Sequence, residues 1–250
     1  MEAVHLVMSL FTREQKVQLL PFVVTSIFFL VQPYSPDDSF LGVVFKILPI
    51  LSLIGYVIFT KSQFPRKTRT ANIETLLPED TYSFCVLIGL CIALVGDILV
   101  AIPYVMFIGG FLFMIVDSLY FVGVEIGGRH KGCGSSFNWL FGLLFVNTWL
   151  CIQSGFDSVI LKFLMFVYLV PLFLAAWKAT AALEENRGDK AVLMGCVGAC
   201  LFIFSDWLVI LEYNEYPIPF VQFFYMLSYY GAQAGWALST SNFHWISSVI

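Results

Sequence analysis

GLCIALVGDILVAIPY, residues 89–104, reads as a membrane helix with one residue out of place. Leu94, Val95, Ile98, Leu99 and Val100 are side chains that suit lipid. Asp97 among them is a carboxylate that hydrocarbon excludes unless it has work to do there. The same setting recurs around Asp206 in GACLFIFSDWLVILEY, residues 198–213. Aligned without a gap, the two stretches share Gly, Cys, Asp, Leu, Val and Tyr, six of sixteen positions. The echo predicts two four-helix halves related as a parallel repeat.

The rest of the chain agrees with a lipid solvent. It has 250 residues, 59% of them hydrophobic and 12% charged, with a mean hydropathy of +0.86. A soluble domain carries about twice that share of charge. Twenty-six Phe and six Trp suit helices that face acyl chains and interfaces. The six cysteines (Cys85, Cys91, Cys133, Cys151, Cys196, Cys200) form no C-x-x-C pair and lie mostly in apolar runs, so they read as small apolar residues.

A hydrocarbon core needs about 20 apolar residues per helix. Eight such runs are legible: 17–33, 40–60, 82–102, 104–126, 137–154, 158–183, 190–211 and 217–240. The expected fold is therefore all-α, a polytopic membrane protein of about eight transmembrane helices, with residues 1–250 forming one integral membrane domain. Turn chemistry separates the runs, as in PYSPDD, GGRHKGCG, EENRGD and NEYPIP. When loops are assigned to alternate sides, ten of the thirteen basic residues fall on one side. The positive-inside rule makes that side cytoplasmic and predicts both termini there.

Four ionisable residues lie well inside helices: Lys46, Asp97, Asp117 and Asp206. Lys46 enters from the non-cytoplasmic side, and Asp97 and Asp206 approach the same side from below. Each is about six residues from that face, which is roughly 9 Å of helix. Three helices that place charge at one depth predict one site. Asp117 is deeper, and the eighth helix brings Ser228, Tyr229, Tyr230 and Gln233 to intermediate depth. One Lys cannot balance three carboxylates, so a purely structural ion pair leaves charge unexplained. His5, His130 and His244 all lie in loops or tails, which argues against intramembrane His ligands for zinc. No G-x-S-x-G elbow appears. What remains is acid/base chemistry, or proton or ion coupling, by carboxylates; no metal, organic cofactor or nucleic-acid partner is expected.

FKILPI (45–50), LVGD (94–97), Gly109/Gly110 with Tyr120, FSD (204–206), YPIPF (216–220) and SYYGAQ (228–233) occur in an order that resembles the lysoplasmalogenases, the YhhN-like integral membrane proteins. The resemblance spans about residues 40 to 240. It implies a multi-pass hydrolase of the endoplasmic reticulum that cleaves the vinyl-ether bond of lysoplasmalogens, giving a fatty aldehyde and a glycerophospho-base. It places the catalytic carboxylates on Asp97 and Asp206, with Lys46 and Pro49 on the second helix. Tyr120, Tyr229, Tyr230, Ser228 and Gln233 stand where supporting or substrate-binding groups are expected. In one respect the chain departs from the family: a His is expected three residues before the Tyr of the fourth helix, and Asp117 stands there instead. An altered rate, pH optimum or substrate is the expected consequence.

The chemistry fits these residues without the resemblance. A vinyl ether resists base and yields to acid, by protonation at the β-carbon and passage through an oxocarbenium ion. That route needs one protonated carboxyl and one ionised carboxylate, the pair glycosidases use at a similar transition state. Asp97 and Asp206 are the expected pair, with their roles open. Lys46 would tune one of them or contact phosphate; Asp117, Tyr229 and Tyr230 would orient substrate or water. The alternative from another class is a proton-coupled transporter, which suits intramembrane carboxylates on repeated halves equally well.

Overall fold

The structure is a computed structural model. It describes residues 13–31, 40–63, 73–127, 138–155 and 157–241. His5, His130, His244, Cys133, the PYSPDD turn and most of the basic KSQFPRKTR loop lie outside the described residues.

Eight helices are present among the described residues: α1 (Arg13–Val31), α2 (Phe40–Gln63), α3 (Ile73–Val100), α4 (Met106–Ile126), α5 (Asn138–Gly155), α6 (Val159–Glu185), α7 (Lys190–Tyr213) and α8 (Val221–Ser239). Each corresponds to one expected apolar run, and no strand occurs among the described residues. The largest difference is the start of α3, nine residues before the run at residue 82. A polar segment can continue a helix outside hydrocarbon, and an apolar-run search does not see it.

Large apolar side chains cover the outside. Val24, Ile27 and Phe28 of α1, Leu143, Val146 and Leu150 of α5, and Ile160, Phe163 and Leu164 of α6 are all exposed. Such a surface is stable in lipid and not in water. Six helices are long and apolar enough to cross a membrane: α1, α2, α3, α4, α6 and α7. The protein is a polytopic membrane protein. The two remaining helices differ for different reasons. α8 divides along its length: Phe223, Phe224 and Leu227 are exposed, while Tyr229, Tyr230, Gln233, Gly235 and Trp236 are buried against neighbouring helices. α5 has only 18 residues and includes Asn138, Asn147, Thr148 and Gln153.

One buried cluster draws on all eight helices, from Leu19 and Phe29 of α1 to Ile152 of α5 and Trp236 of α8. Within it the packing repeats. The two most extensive contacts are α7 with α8 and α3 with α4. α2 packs on α3 as α6 packs on α7. α2 also reaches across to α8, and α6 reaches across to α4. The pattern of helix contacts is therefore unchanged when the triplets α2–α4 and α6–α8 are exchanged.

Small residues make the close contacts, as expected where no hydrophobic effect drives helices together. A Cβ on Gly235 would lie 2.6 Å from the Gly198 Cα and 2.7 Å from the Met194 carbonyl oxygen. In the first half, a Cβ on Gly109 would lie 2.9 Å from the Gly96 carbonyl oxygen. Ser205 stands where the first half has Gly96, and its hydroxyl donates to the Tyr225 carbonyl of α8 at 3.0 Å. A hydrogen bond between α7 and α8 thus replaces a bare backbone approach between α3 and α4.

Candidate active site

The site begins at two prolines. Pro49 lies inside α2 and Pro171 inside α6. A helix-interior proline removes one backbone hydrogen bond and loosens the turn before it. Lys46 is in that turn of α2, and Tyr168 is at the same register in α6: FKILPI (45–50) and VYLVPL (167–172) superimpose lysine on tyrosine and proline on proline. The Lys46 carbonyl in the loosened turn accepts from the Tyr230 hydroxyl at 2.9 Å. Neighbouring helices commonly satisfy backbone groups that proline frees in a membrane helix.

Each of these two residues meets an aspartate. The Lys46 ammonium lies 3.8 Å from Asp97 Oδ1. Asp97 Oδ2 accepts from the Tyr229 hydroxyl at 2.6 Å, and the carboxylate is only 3% exposed. In the second half, Tyr168 donates to Asp206 Oδ2 at 2.5 Å. Asp206 is half-buried. No hydrogen bond or ion pair joins Asp97 to Asp206 among the described residues; each has its own partners.

Residues 41–240 match the YhhN family. The chain belongs to the YhhN family. It is similar to the rat (Rattus norvegicus) protein Lysoplasmalogenase TMEM86B, with 24% identity over 219 residues that make up 86% of this chain and 80% of the relative. No solved structure matches it.

In this YhhN protein aromatic side chains pack on Tyr229, the partner of Asp97. Phe202, one turn before Asp206 on α7, packs edge-on against Tyr229, the partner of Asp97, with ring centres 5.8 Å apart. Phe113 of α4 meets Tyr229 at 5.9 Å in the same manner. Tyr120, fully buried, stacks on Trp236 at 4.5 Å and donates to Gln233 Oε1 at 2.8 Å. Its ring fills the space that Gly89 leaves by having no side chain. Such a cluster excludes water and presents π faces that favour a cation.

The remaining residues singled out in the sequence divide. Asp117 is 1% exposed, and its Oδ2 has no hydrogen-bond partner. It lies within electrostatic range of Asp206 and, across the α4–α6 contact, of Tyr168. An unpartnered buried carboxylate oxygen is costly, and such a group stands ready for a ligand, a water or a proton. Ser228 is placed differently. Its hydroxyl donates to Phe224 and Tyr225 carbonyls of its own helix, at 2.8 and 3.0 Å.

Tyr168 is the partner of Asp206 that motif reading passes over. An aromatic residue in a membrane helix looks like packing. Its signal is register: it stands three residues before an internal proline, as Lys46 does, in the repeat already marked by the two aspartates. No group of His, Cys, Asp and Glu suited to a metal ion occurs among the described residues.

Proposed function

We propose that this protein is a lysoplasmalogenase-like membrane hydrolase that cleaves the vinyl-ether bond of lysoplasmalogens. The observation that carries the reading is the pair of aspartates inside the bundle, each held by its own partners, Asp97 by Lys46 and Tyr229 and Asp206 by Tyr168. Membership of the YhhN family and similarity to a lysoplasmalogenase support it.

The reaction follows from the chemistry. A protonated carboxyl gives its proton to the β-carbon of the vinyl ether, and an oxocarbenium ion forms at the ether oxygen and its neighbouring carbon. A carboxylate and aromatic faces stabilise that cation. Water adds as the carboxylate takes one of its protons. The hemiacetal collapses to a fatty aldehyde and a glycerophospho-ethanolamine or -choline. Asp97 and Asp206 are the acid/base pair. Lys46, Tyr229 and Tyr230 hold the first half of the site, and Asp117 supports the second. The lysophospholipid reaches the site from the bilayer, in an endoplasmic-reticulum membrane with both chain ends cytoplasmic.

Purified protein in detergent, offered lysoplasmenyl-ethanolamine and -choline beside their saturated ether analogues, is expected to release aldehyde from the vinyl ethers alone. Release from neither class by intact wild type would refute the reading. It would favour the second one, a proton-coupled carrier, for which the exchange of α2–α4 with α6–α8 is the specific support.

A further inference from the structure

We infer that Asp206 is the proton donor of the pair and Asp97 the ionised carboxylate, with Tyr168 the positioning residue that keeps the second half of the site free of positive charge. The inference rests on the hydrolase reading above and assigns the roles which that reading leaves open.

The argument is a comparison at matched positions. In α2 the residue three before the internal proline is Lys46, and its ammonium lies 3.8 Å from Asp97. In α6 the residue three before the internal proline is Tyr168, and its hydroxyl lies 2.5 Å from Asp206. An ammonium at that range in a site of low polarity stabilises a full negative charge. A phenol contributes one hydrogen bond and no charge.

The surroundings extend the contrast. Asp97 is faced by Lys46 from α2 and by Tyr229 and Tyr230 from α8. The α4 turn against its neighbour Gly96 carries Gly109 and Phe113, neither of them charged. Asp206 is faced by Tyr168 from α6 and by Asp117 from α4. α8 packs on α7 with Tyr225 and Tyr229, and α5 carries no Asp, Glu, Lys, Arg, His or Tyr. Of the described residues facing Asp206, none is a cation and one is a second carboxyl. Two neighbouring carboxyls without a cation cannot both be charged. Oxygen-bound hydrogen is available on the Asp206 side and negative charge on the Asp97 side.

The proton count closes with this assignment. The Asp206 proton passes to the vinyl β-carbon as the double-bond electrons form the new C–H bond. Water oxygen bonds to the cationic carbon and gives a proton to Asp97. The Asp206 carboxylate then takes the hemiacetal hydroxyl proton as the carbonyl forms. The bond to glycerol oxygen breaks, and that oxygen takes the proton from Asp97. One water is consumed, and both aspartates return to their starting forms.

Two measurements test the assignment. In infrared difference spectra near neutral pH, Asp206→Asn is expected to lose a protonated-carboxyl carbonyl band that Asp97→Asn retains. The reverse pattern, or no loss in Asp206→Asn, would overturn the inference, and neither spectrum depends on turnover. In the aldehyde assay, Tyr168→Phe keeps the second half uncharged and is expected to stay within about tenfold of wild type. Tyr168→Lys copies the first half and is expected to lose about 100-fold at neutral pH, the usual contribution of a general acid. Its activity should recover as the pH is lowered. Equal rates for the two variants would overturn the role given to Tyr168. Expected spectra from a wild type that releases no aldehyde would sink the hydrolase reading and leave the charge assignment standing.

Discussion

In α2–α4, Asp97 lies 3.8 Å from an ammonium and accepts from a tyrosine of the opposite half. In α6–α8, Asp206 accepts from a tyrosine of its own half. The frames are alike: an internal proline in α2 and α6, an aspartate in α3 and α7, small residues where α3 meets α4 and α7 meets α8. The differences are local: lysine against tyrosine at register 46 and 168, and Asp117 within electrostatic range of Asp206. Backbone packing tolerates repetition because it asks only for small residues at crossing points. Acid/base chemistry asks for more, because one carboxyl must hold a proton while the other is ionised, and unlike surroundings fix which is which. On the proposed reading, unlike surroundings at matched positions are what divide the two roles.

The comparison predicts that both aspartates matter while their losses do not add. Asp97→Asn and Asp206→Asn are each expected to lower aldehyde release by roughly 10²- to 10⁴-fold, the range for removing an acid or base. The double variant should be little worse than the poorer single one, since residues that act as a unit are not additive. A single variant that folds and keeps full turnover would break the pairing. Next in size is Lys46→Met. Removing one partner of a buried ion pair strands the other charge, at a cost of about 3 kcal/mol for a pair this long and incompletely enclosed. Thermal unfolding in detergent should show the loss in Lys46→Met and its rescue when Asp97→Asn is added. Failure of that rescue would mean that Lys46 acts elsewhere than on Asp97.

Much of this was legible in the sequence, and the gaps have physical causes. The apolar runs announce all eight helices because lipid imposes length and composition together. Asp97, Asp206 and Lys46 stand out because charge in such runs is costly. Tyr168 did not stand out, since nothing about an aromatic side chain in a membrane helix is costly. It becomes visible only when α6 is placed on α2 by their prolines. The setting of α8 was hidden because it changes along the helix, from exposed Phe223, Phe224 and Leu227 to buried Tyr229, Tyr230 and Trp236. Ser228 has its hydroxyl on carbonyls of its own helix. It precedes Tyr229 in sequence, but successive residues on a helix point about 100° apart.

Packing gives a smaller and more local test of the two halves. Gly235→Ala would drive a methyl into the Gly198 backbone and the Met194 carbonyl, neither of which can rotate away. Overpacking of this kind costs about 2 kcal/mol. Gly96→Ala meets first the ring of Phe113, at 3.2 Å, and a ring edge can yield by a few tenths of an ångström. Unfolding temperatures should fall for Gly235→Ala and change less for Gly96→Ala. Equal effects would show that the α3–α4 contact is as rigid as the α7–α8 contact, despite the difference in what faces each glycine.

The smallest expected effect is the most discriminating about Ser228. A hydroxyl that donates back to carbonyls of its own helix bonds to groups already engaged in the helical ladder. Removing it leaves no buried donor stranded, because Ser228→Ala deletes the donor and those carbonyls keep their amide partners. The net cost of losing such a bond is about 1 kcal/mol or less. Turnover should stay within about twofold, because that hydroxyl is bonded to carbonyls of α8 itself. Its neighbour gives the contrast. Tyr229→Phe takes from Asp97 its one side-chain hydrogen-bond donor at 2.6 Å, and loss of a bond to a charged group is worth roughly tenfold or more in rate. Measured side by side, the two variants separate a residue that lies near the site from one that belongs to it. A Ser228→Ala rate as low as that of Tyr229→Phe would mean that the hydroxyl turns from its helix toward substrate during the reaction, and the two roles would have to be redrawn.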